Sequence, residues 1–302
     1  MPHSDNTQDD LVHSESRLAH RKSRLAHHIL ANEKMLKGNG SLGRYFLLPG
    51  SSQRAKLISS LFDEVTLKIE TPRHHDTYLG TITNSANQKI DVGVVSTGMG
   101  VSSTEIIVSE LIECGVKRFL RVGTSGAVID KPLEPGHFVI ATGAVRDEGA
   151  TSHYVPMEYP AIADHDFVYA LEQASRKLKL TNRTFSGIIH SKSTLFARAK
   201  MAGPMTKEHE RYKEIMRSAN VLSSEMEASM LFILADVHKK KVISLADKGK
   251  HADSVIKAAA VLGIIGSETG WISKKAVREI ELETCKLALE SIYHLHELEC
   301  QK

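Results

Sequence analysis

From residue 44 onward, apolar and polar positions follow two alternating patterns. Short, nearly continuous apolar runs end in glycine or polar turns. Between them lie segments whose apolar residues recur every three or four positions. The first kind predicts buried strands and the second amphipathic helices. RYFLLPG (44–50) is a strand closing on a Pro-Gly turn, and RAKLISSLF (54–62) is a short helix. IDVGVVSTGMG (90–100) is a buried strand running into glycines. SSTEIIVSELIECG (102–115) is a helix that Gly115 ends. VKRFLRVGTSGAV (116–128) repeats strand and glycine turn, and HFVIATGAV (137–145) is a further strand. FVYALEQASRKLKL (167–180) and HERYKEIMRSANVL (209–222) are helical, with a short strand, GIIHSKS (187–193), between them. KAAAVLGIIGSETG (257–270) is a strand with a polar exit, and KAVREIELETCKLALESIYHLHEL (275–298) is a long amphipathic helix. Strands separated by helices predict an α/β fold with a parallel or mixed sheet. Such sheets bind ligands at the carboxyl ends of their strands.

VLSSEMEASML (221–231) predicts a helix start, with Ser223 or Ser224 as cap. Acids in a first turn suit the helix dipole. Yet positions i and i+2 lie about 200° apart on a helix. With Met230, Leu231 and Phe232 holding the helix in the core, one of Glu225 and Glu227 faces inward and needs a partner.

The first 24 residues are polar, and SRLAH occurs at 16–20 and again at 23–27. They are expected to form a flexible extension ahead of one catalytic domain, residues 25–302. HKKKVISLADKGKHADSVI (238–256) is expected to be a surface insertion without chemistry.

The chain has 302 residues, 41% of them hydrophobic and 25% charged, which is ordinary globular composition. A net charge of +3 gives no reason to expect nucleic acid or a membrane as partner. Cys114, Cys285 and Cys300 form no CxxC pair and no metal spacing. The apolar run AAAVLGIIG (258–266) is too short to span a bilayer, and no signal-peptide pattern opens the sequence. A cytoplasmic location is expected, with no bound metal and no organic cofactor.

Four segments carry candidate chemistry. LLPGSSQR (47–54) offers glycine backbone N–H groups and Arg54 to an anion, or is simply a turn with a surface arginine. VVSTGMGVSS (94–103) has neither the Lys-Ser/Thr of a P-loop nor the last glycine of GxGxxG, and is read as a tight packing turn. FLRVGTSGAV (119–128) places Arg121 inside an apolar strand, before a turn with two hydroxyls. Arginine is seldom buried unpaired, so the segment is an anion site or an internal salt bridge to an inward acid. AVRDEGATSHYVPMEYPA (144–161) is too long and too aromatic for a plain connection, and is a lid, a pocket wall or a surface loop.

In this order, PGSSQR, VVSTGMGVSS, FLRVGTSGA, AVRDEGATSHYVPMEYPA and SSEMEA resemble the nucleoside phosphorylase family. The piece at 144–161 points to its uridine phosphorylase branch. The resemblance covers roughly residues 28–235 and 258–298. It implies a three-layer α/β/α fold with a central mixed sheet. It also implies phosphorolysis of a nucleoside, with phosphate as co-substrate, to a free base and ribose 1-phosphate. Gly50, Arg54, Arg121 and Thr124 would then bind phosphate. Arg73 of TPRHHDTY (71–78) would join them across an interface, and His28 would cross to a neighbour's ribose, so a homodimer or larger homo-oligomer is implied. Met226 and Glu227 would hold the ribose, and Glu225 would help orient sugar or base. Thr124, Ser125 and Gly126 would border the base.

Two stretches depart from the family. STLFARAKMAGPM (193–205) lacks the Gln-x-Arg that reads uracil, leaving Phe196 or Leu195 to stack on the base and Arg198 or Lys200 to read its edge. GIIGSET (263–269) has Ser267 and Glu268 where the purine relatives have Ser-Asp, which makes Glu268 a candidate acid for a purine leaving group. The acid that binds a monovalent cation in bacterial relatives is His74 here, so that ion is not expected. The sequence reading is a pyrimidine nucleoside phosphorylase, with a purine phosphorylase or a non-catalytic nucleoside-binding protein as alternatives.

Overall fold

The computed structural model describes residues 25–129, 131–238, 255–267 and 270–301. The proposed N-terminal extension, nearly all of the 238–256 insertion, and Glu268 lie outside these residues.

In chain order the strands are β1 (Tyr45–Leu48), β2 (Glu64–Ile69), β3 (Thr77–Thr83), β4 (Lys89–Val95), β5 (Arg118–Ala127), β6 (Phe138–Asp147), β7 (Ala161–Ile162), β8 (Thr184–Lys192), β9 (Ser223–Glu225), β10 (Lys257–Ser267) and β11 (Gly270–Trp271). The α-helices among the described residues are α1 (Glu33–Leu36), α2 (Ser52–Ser59), α3 (Val101–Glu113), α4 (His165–Lys177), α5 (Leu195–Lys200), α6 (Thr206–Ser218), α7 (Ala228–Val237) and α8 (Lys274–Cys300). Side-chain caps start several of them: Ser51 accepts from Arg54 N–H, Asp164 from Phe167 N–H and Ser273 from Ala276 N–H.

All strands join one mixed sheet, ordered β11-β10-β6-β8-β9-β5-β1-β4-β3-β2, with β7 beside β6. The inner strands are buried on both faces. One apolar core lies between the sheet and α3 and α7, and a second lies under α2, α4 and α8. This is the three-layer α/β/α arrangement. No helix among the described residues is long and apolar enough to cross a membrane.

β5 organises the middle of the sheet. One of its edges runs parallel to β10 along nearly its whole length. The other edge is divided. Arg118–Arg121 pair with β1 and Gly126–Ala127 pair with β9, so neither strand covers residues 122–125. A crevice opens where the two neighbours part. Such a divergence at strand ends is where α/β sheets bind ligands. β10 also pairs with β6, so β5, β10, β6, β8 and β9 close a ring behind the crevice.

Three expectations need correction. SSE (223–225) is a short strand rather than a helix start. It is wedged between β5 and β8, and its neighbours' unpaired edges impose its extended backbone. The helix begins only at Ala228. GTSGA is not a turn but the end of β5, kept extended by its pairing to β10. The loop after β6 is not a wall of this chain's cavity. Buried Arg146 gathers it, donating to the carbonyls of Val155, Pro156 and Tyr159 at 2.6–3.1 Å. Tyr154 then reaches Glu105 on α3, and Tyr159 reaches Asp236 on α7, each at 2.5 Å. The loop therefore packs on those helices.

Candidate active site

A cavity of about 970 Å³ fills the crevice. The sheet order sets its layout. The turn after β1 supplies Gly50, Ser51 and Arg54. β5 supplies Arg121 and Thr124–Ala127, β9 and the residues after it supply Ser224–Glu227, and β8 supplies His190 and Lys192. Met99, α5, α6, the end of β10 (Ile265–Ser267) and β11 complete the wall.

Arg121 lies at its centre. Strand alternation puts it on the same face as Phe119, toward α7, while Leu120 and Val122 enter the opposite core. Its Nε donates to Glu225 Oε2 at 2.7 Å, and Nη2 donates to Glu227 Oε2. Both acids are buried. Because residues 225–227 are not helical, both can face inward, and both share one guanidinium. Arg121 Nη1 is buried with no hydrogen-bond partner, as is Arg54 Nε.

The acids are not equivalent. Glu225 accepts from Arg121, the Ser191 hydroxyl (2.5 Å), and the N–H groups of Glu227 (2.9 Å) and Ala228 (3.0 Å). It thus caps α7. Burial works to raise its pKa, but Arg121, Ser191 and Ala228 N–H together hold it below the usual carboxylate range. Glu227 accepts from Arg121, Gly100 N–H (2.7 Å) and Met226 N–H (3.1 Å). Burial raises its pKa, and the neighbouring Glu225 adds to the rise, against the pull of Arg121. A carboxylate has about four acceptor sites, so Glu227 Oε1 can still accept from a ligand hydroxyl.

The glycine turn 94–103 does more than pack. Gly98 and Gly100 have positive φ, +75° and +82°, which favour glycine, and a Cβ at Gly98 would meet Ser103 Oγ at 2.5 Å. The resulting bend aims the Gly100 N–H at Glu227.

Arg54 bridges β5 and α8. It donates to Val122 O at 3.4 Å and to Thr124 Oγ1 at 3.5 Å, and it is paired to Glu281. Across the cavity, Arg198 donates to Asp147 Oδ1 at 2.8 Å and lies over the Tyr212 ring at 4.1 Å. His190 Nε2 meets Asp147 Oδ2 at 2.9 Å. Burial would raise the Asp147 carboxyl, but His190 and Arg198 hold it low. Among the described residues, no group of three or more His, Cys, Asp or Glu side chains converges as a metal site would.

The cavity thus brings together Gly50, Arg54, Arg121, Thr124, Ser125, Gly126, Arg198, Glu225, Met226 and Glu227. It excludes Phe196, which is 69% exposed. Leu195, one residue earlier on α5, lines the cavity instead. His28 and Arg73 also lie outside this chain's cavity. His28 Nδ1 meets Glu110 at 2.7 Å, and Arg73 is exposed. Sequence reasoning missed His190, Lys192, His209 and Tyr212. The helical assignment of HERY is correct, yet α6 turns His209 and Tyr212 toward the cavity. The signal for Lys192 was akin to the one that exposed Arg121: a cation in a strand with apolar residues, here at its last position.

Comparison with known proteins identifies the family. Residues 44–246 match the model of the phosphorylase superfamily. A uridine phosphorylase of Treponema pallidum is 33% identical over 229 residues, covering 76% of this chain and 79% of that protein. A uridine phosphorylase of Thermococcus kodakarensis is 36% identical over 202 residues, 66% of this chain and 70% of that one. A guanosine phosphorylase of Halorubrum lacusprofundi is 31% identical over 208 residues, 69% and 76% of the two chains. With a matching family model across most of its length, the chain belongs to the phosphorylase superfamily.

Proposed function

We propose that the protein catalyses phosphorolysis of a nucleoside, with uridine as substrate, to give uracil and ribose 1-phosphate. The observation that carries this reading is the buried Arg121, with an unpartnered Nη1, in a cavity shared with Arg54, Thr124 and Gly50. An enzyme that used water would have no use for two arginines at that end. Both relatives named uridine phosphorylase support the choice of base. The guanosine phosphorylase match keeps a purine substrate as the second reading.

The residues divide the work by position. Arg54, Arg121 and Thr124 strip water from phosphate and aim it at C1′ of the ribose. Glu227 Oε1 accepts a ribose hydroxyl, Met226 packs on the sugar, and Glu225 fixes Arg121 and the start of α7. As the bond from C1′ to the base lengthens, the sugar becomes cationic and the adjacent phosphate stabilises it. Residues 25–302 act as one catalytic domain. Phosphorus NMR after incubation with uridine and phosphate tests the reaction. A ribose 1-phosphate signal is expected, and free ribose alone would point to hydrolysis.

The site is shared in a dimer. His28, held by Glu110, and the loop carrying Tyr154, Met157, Tyr159 and Ile162 both pack on α3. The loop's four apolar side chains are exposed. Exposed apolar groups on one face suit a second copy of the chain, whose cavity His28 and Arg73 would complete. Sedimentation should show a dimer or larger assembly, and His28→Ala should raise the KM for uridine about 10-fold, the loss of one hydrogen bond. A fully active monomer would contradict the sharing.

A further inference from the structure

The base end of the cavity differs chemically from the phosphate end, and it contains a buried lysine. Lys192, the last residue of β8, is only 4% exposed and lines the cavity. Its Nζ donates to Ser224 Oγ at 2.7 Å and to Glu225 O at 3.5 Å. An ammonium has three donors, so one N–H remains beyond these two bonds. Ser224 Oγ also lies 3.1 Å from His190 Nδ1, and His190 Nε2 lies 2.9 Å from Asp147. With His190 Nε2–H donating to the Asp147 carboxylate, Nδ1 accepts from the Ser224 hydroxyl, which leaves the Ser224 oxygen to accept from Lys192. The lysine is thus held by a chain of three side chains, Asp147, His190 and Ser224.

The sheet order places this lysine opposite the phosphate. Across the crevice the strands run β1, β5, β9, β8. Anion groups stand just after β1 (Gly50, and Arg54 on α2) and on β5 (Arg121, Thr124), and the ribose groups on or just after β9, so β8 faces what lies beyond the sugar. In-line displacement at C1′ puts the leaving base on the side away from the phosphate.

We propose that Lys192, held by Ser224 and the His190–Asp147 pair, is the donor to the departing base, supplying at β8 the positive charge that stabilises this leaving group. This rests on the phosphorolysis reading above. As the C1′–N1 bond breaks, its electron pair passes to the base and spreads onto the carbonyl oxygens, while a phosphate oxygen bonds to C1′. The free N–H of Lys192 donates to one of those oxygens. The proton that finally resides on uracil N1 balances the one that hydrogen phosphate gives up on becoming the ester dianion, so only the two substrates are consumed. Burial also lowers the pKa of Lys192, against the pull of Glu225, Glu227 and Asp147, which makes its proton easier to share.

The test compares wild type with Lys192→Met on uridine and on 5-fluorouridine, whose departing base is less basic. With uridine, kcat should fall about 100-fold, the usual contribution of a positioned proton donor. With 5-fluorouridine the loss should be markedly smaller, and the KM for phosphate should stay within about twofold of wild type. Should Lys192→Met fail to fold, Ser224→Ala carries the same test, with a smaller loss that again shrinks on 5-fluorouridine. Equal losses on both substrates, or none, would overturn the role of Lys192 while leaving phosphorolysis standing. A wild type that cleaves uridine in neither form would overturn the phosphorolysis reading itself, and the inference with it.

Discussion

Arg121→Ala is expected to lower kcat/KM by at least about 100- to 1,000-fold, the range for losing one aimed donor to a reacting anion. It is also expected to destabilise the fold. Arg121 neutralises two buried carboxylates, and removing the guanidinium leaves both uncompensated. Breaking a buried pair by deleting one partner costs about 3–5 kcal/mol. Thermal melting and steady-state kinetics on the same preparation would measure both effects. Arg121→Lys separates them. It retains a charge for the acids, so stability should recover in part. It cannot reach both carboxylates and a ligand at once, so activity should stay low. Normal turnover in either variant would remove the phosphate site from Arg121.

Glu227→Gln is expected to affect function and stability in different ways. A charged acceptor's hydrogen bond is worth about 1.5–3 kcal/mol, so kcat/KM for the nucleoside should fall about 10- to 150-fold. Glutamine keeps only one of the two acceptor oxygens that Glu227 uses, so one set of its donors is left facing an NH2 group, a cost that is the same at every pH. The pKa of Glu227 is raised in the folded protein, so the fold binds this proton more tightly than the unfolded chain does. Wild-type stability therefore falls as pH rises from the ordinary carboxylate range through the raised value. Glutamine, neutral throughout, avoids that loss. Relative to wild type, the melting temperature of the variant should therefore be higher at neutral pH than in acid, where Glu227 is protonated in both states. In wild type, nucleoside binding should weaken as pH is lowered, beginning above the usual carboxylate range, and the variant should lack this dependence. A stability difference from wild type that does not change with pH would contradict the assignment.

The two acids also show what the sequence could and could not reveal. A need for an inward acid, and a buried arginine to meet it, both followed from residue chemistry. That both acids face inward did not follow, because it depends on a three-residue strand. SSE has no periodicity of its own, and β5 and β8 impose its conformation from about 100 and 30 residues away. Long apolar runs such as β5, β6 and β10 were legible because burial on both faces leaves a continuous signal. β2 was missed because EVTLKI lies at the sheet edge, and five of its six residues are exposed. α5 was hidden in a polar stretch, with only the Thr194 side chain, which accepts from Ala197 N–H, marking its start. Its orientation decides that Leu195 rather than Phe196 meets the cavity, and a six-residue helix cannot announce that from sequence. Lys192 and His190 escaped notice because GIIHSKS was read for its apolar residues, and their partners Ser224 and Asp147 lie on other strands.

Phosphate-dependent cleavage of a pyrimidine nucleoside is the activity on which every residue role above depends. Ultraviolet absorbance should be followed on mixing the protein with uridine or with inosine, each with and without phosphate. A change is expected with uridine only when phosphate is present. Cleavage of inosine instead would contradict the pyrimidine assignment and move the chemistry toward the β10–β11 turn. No change with either nucleoside, from protein shown to be folded, would contradict catalysis and leave a nucleoside-binding protein of this fold.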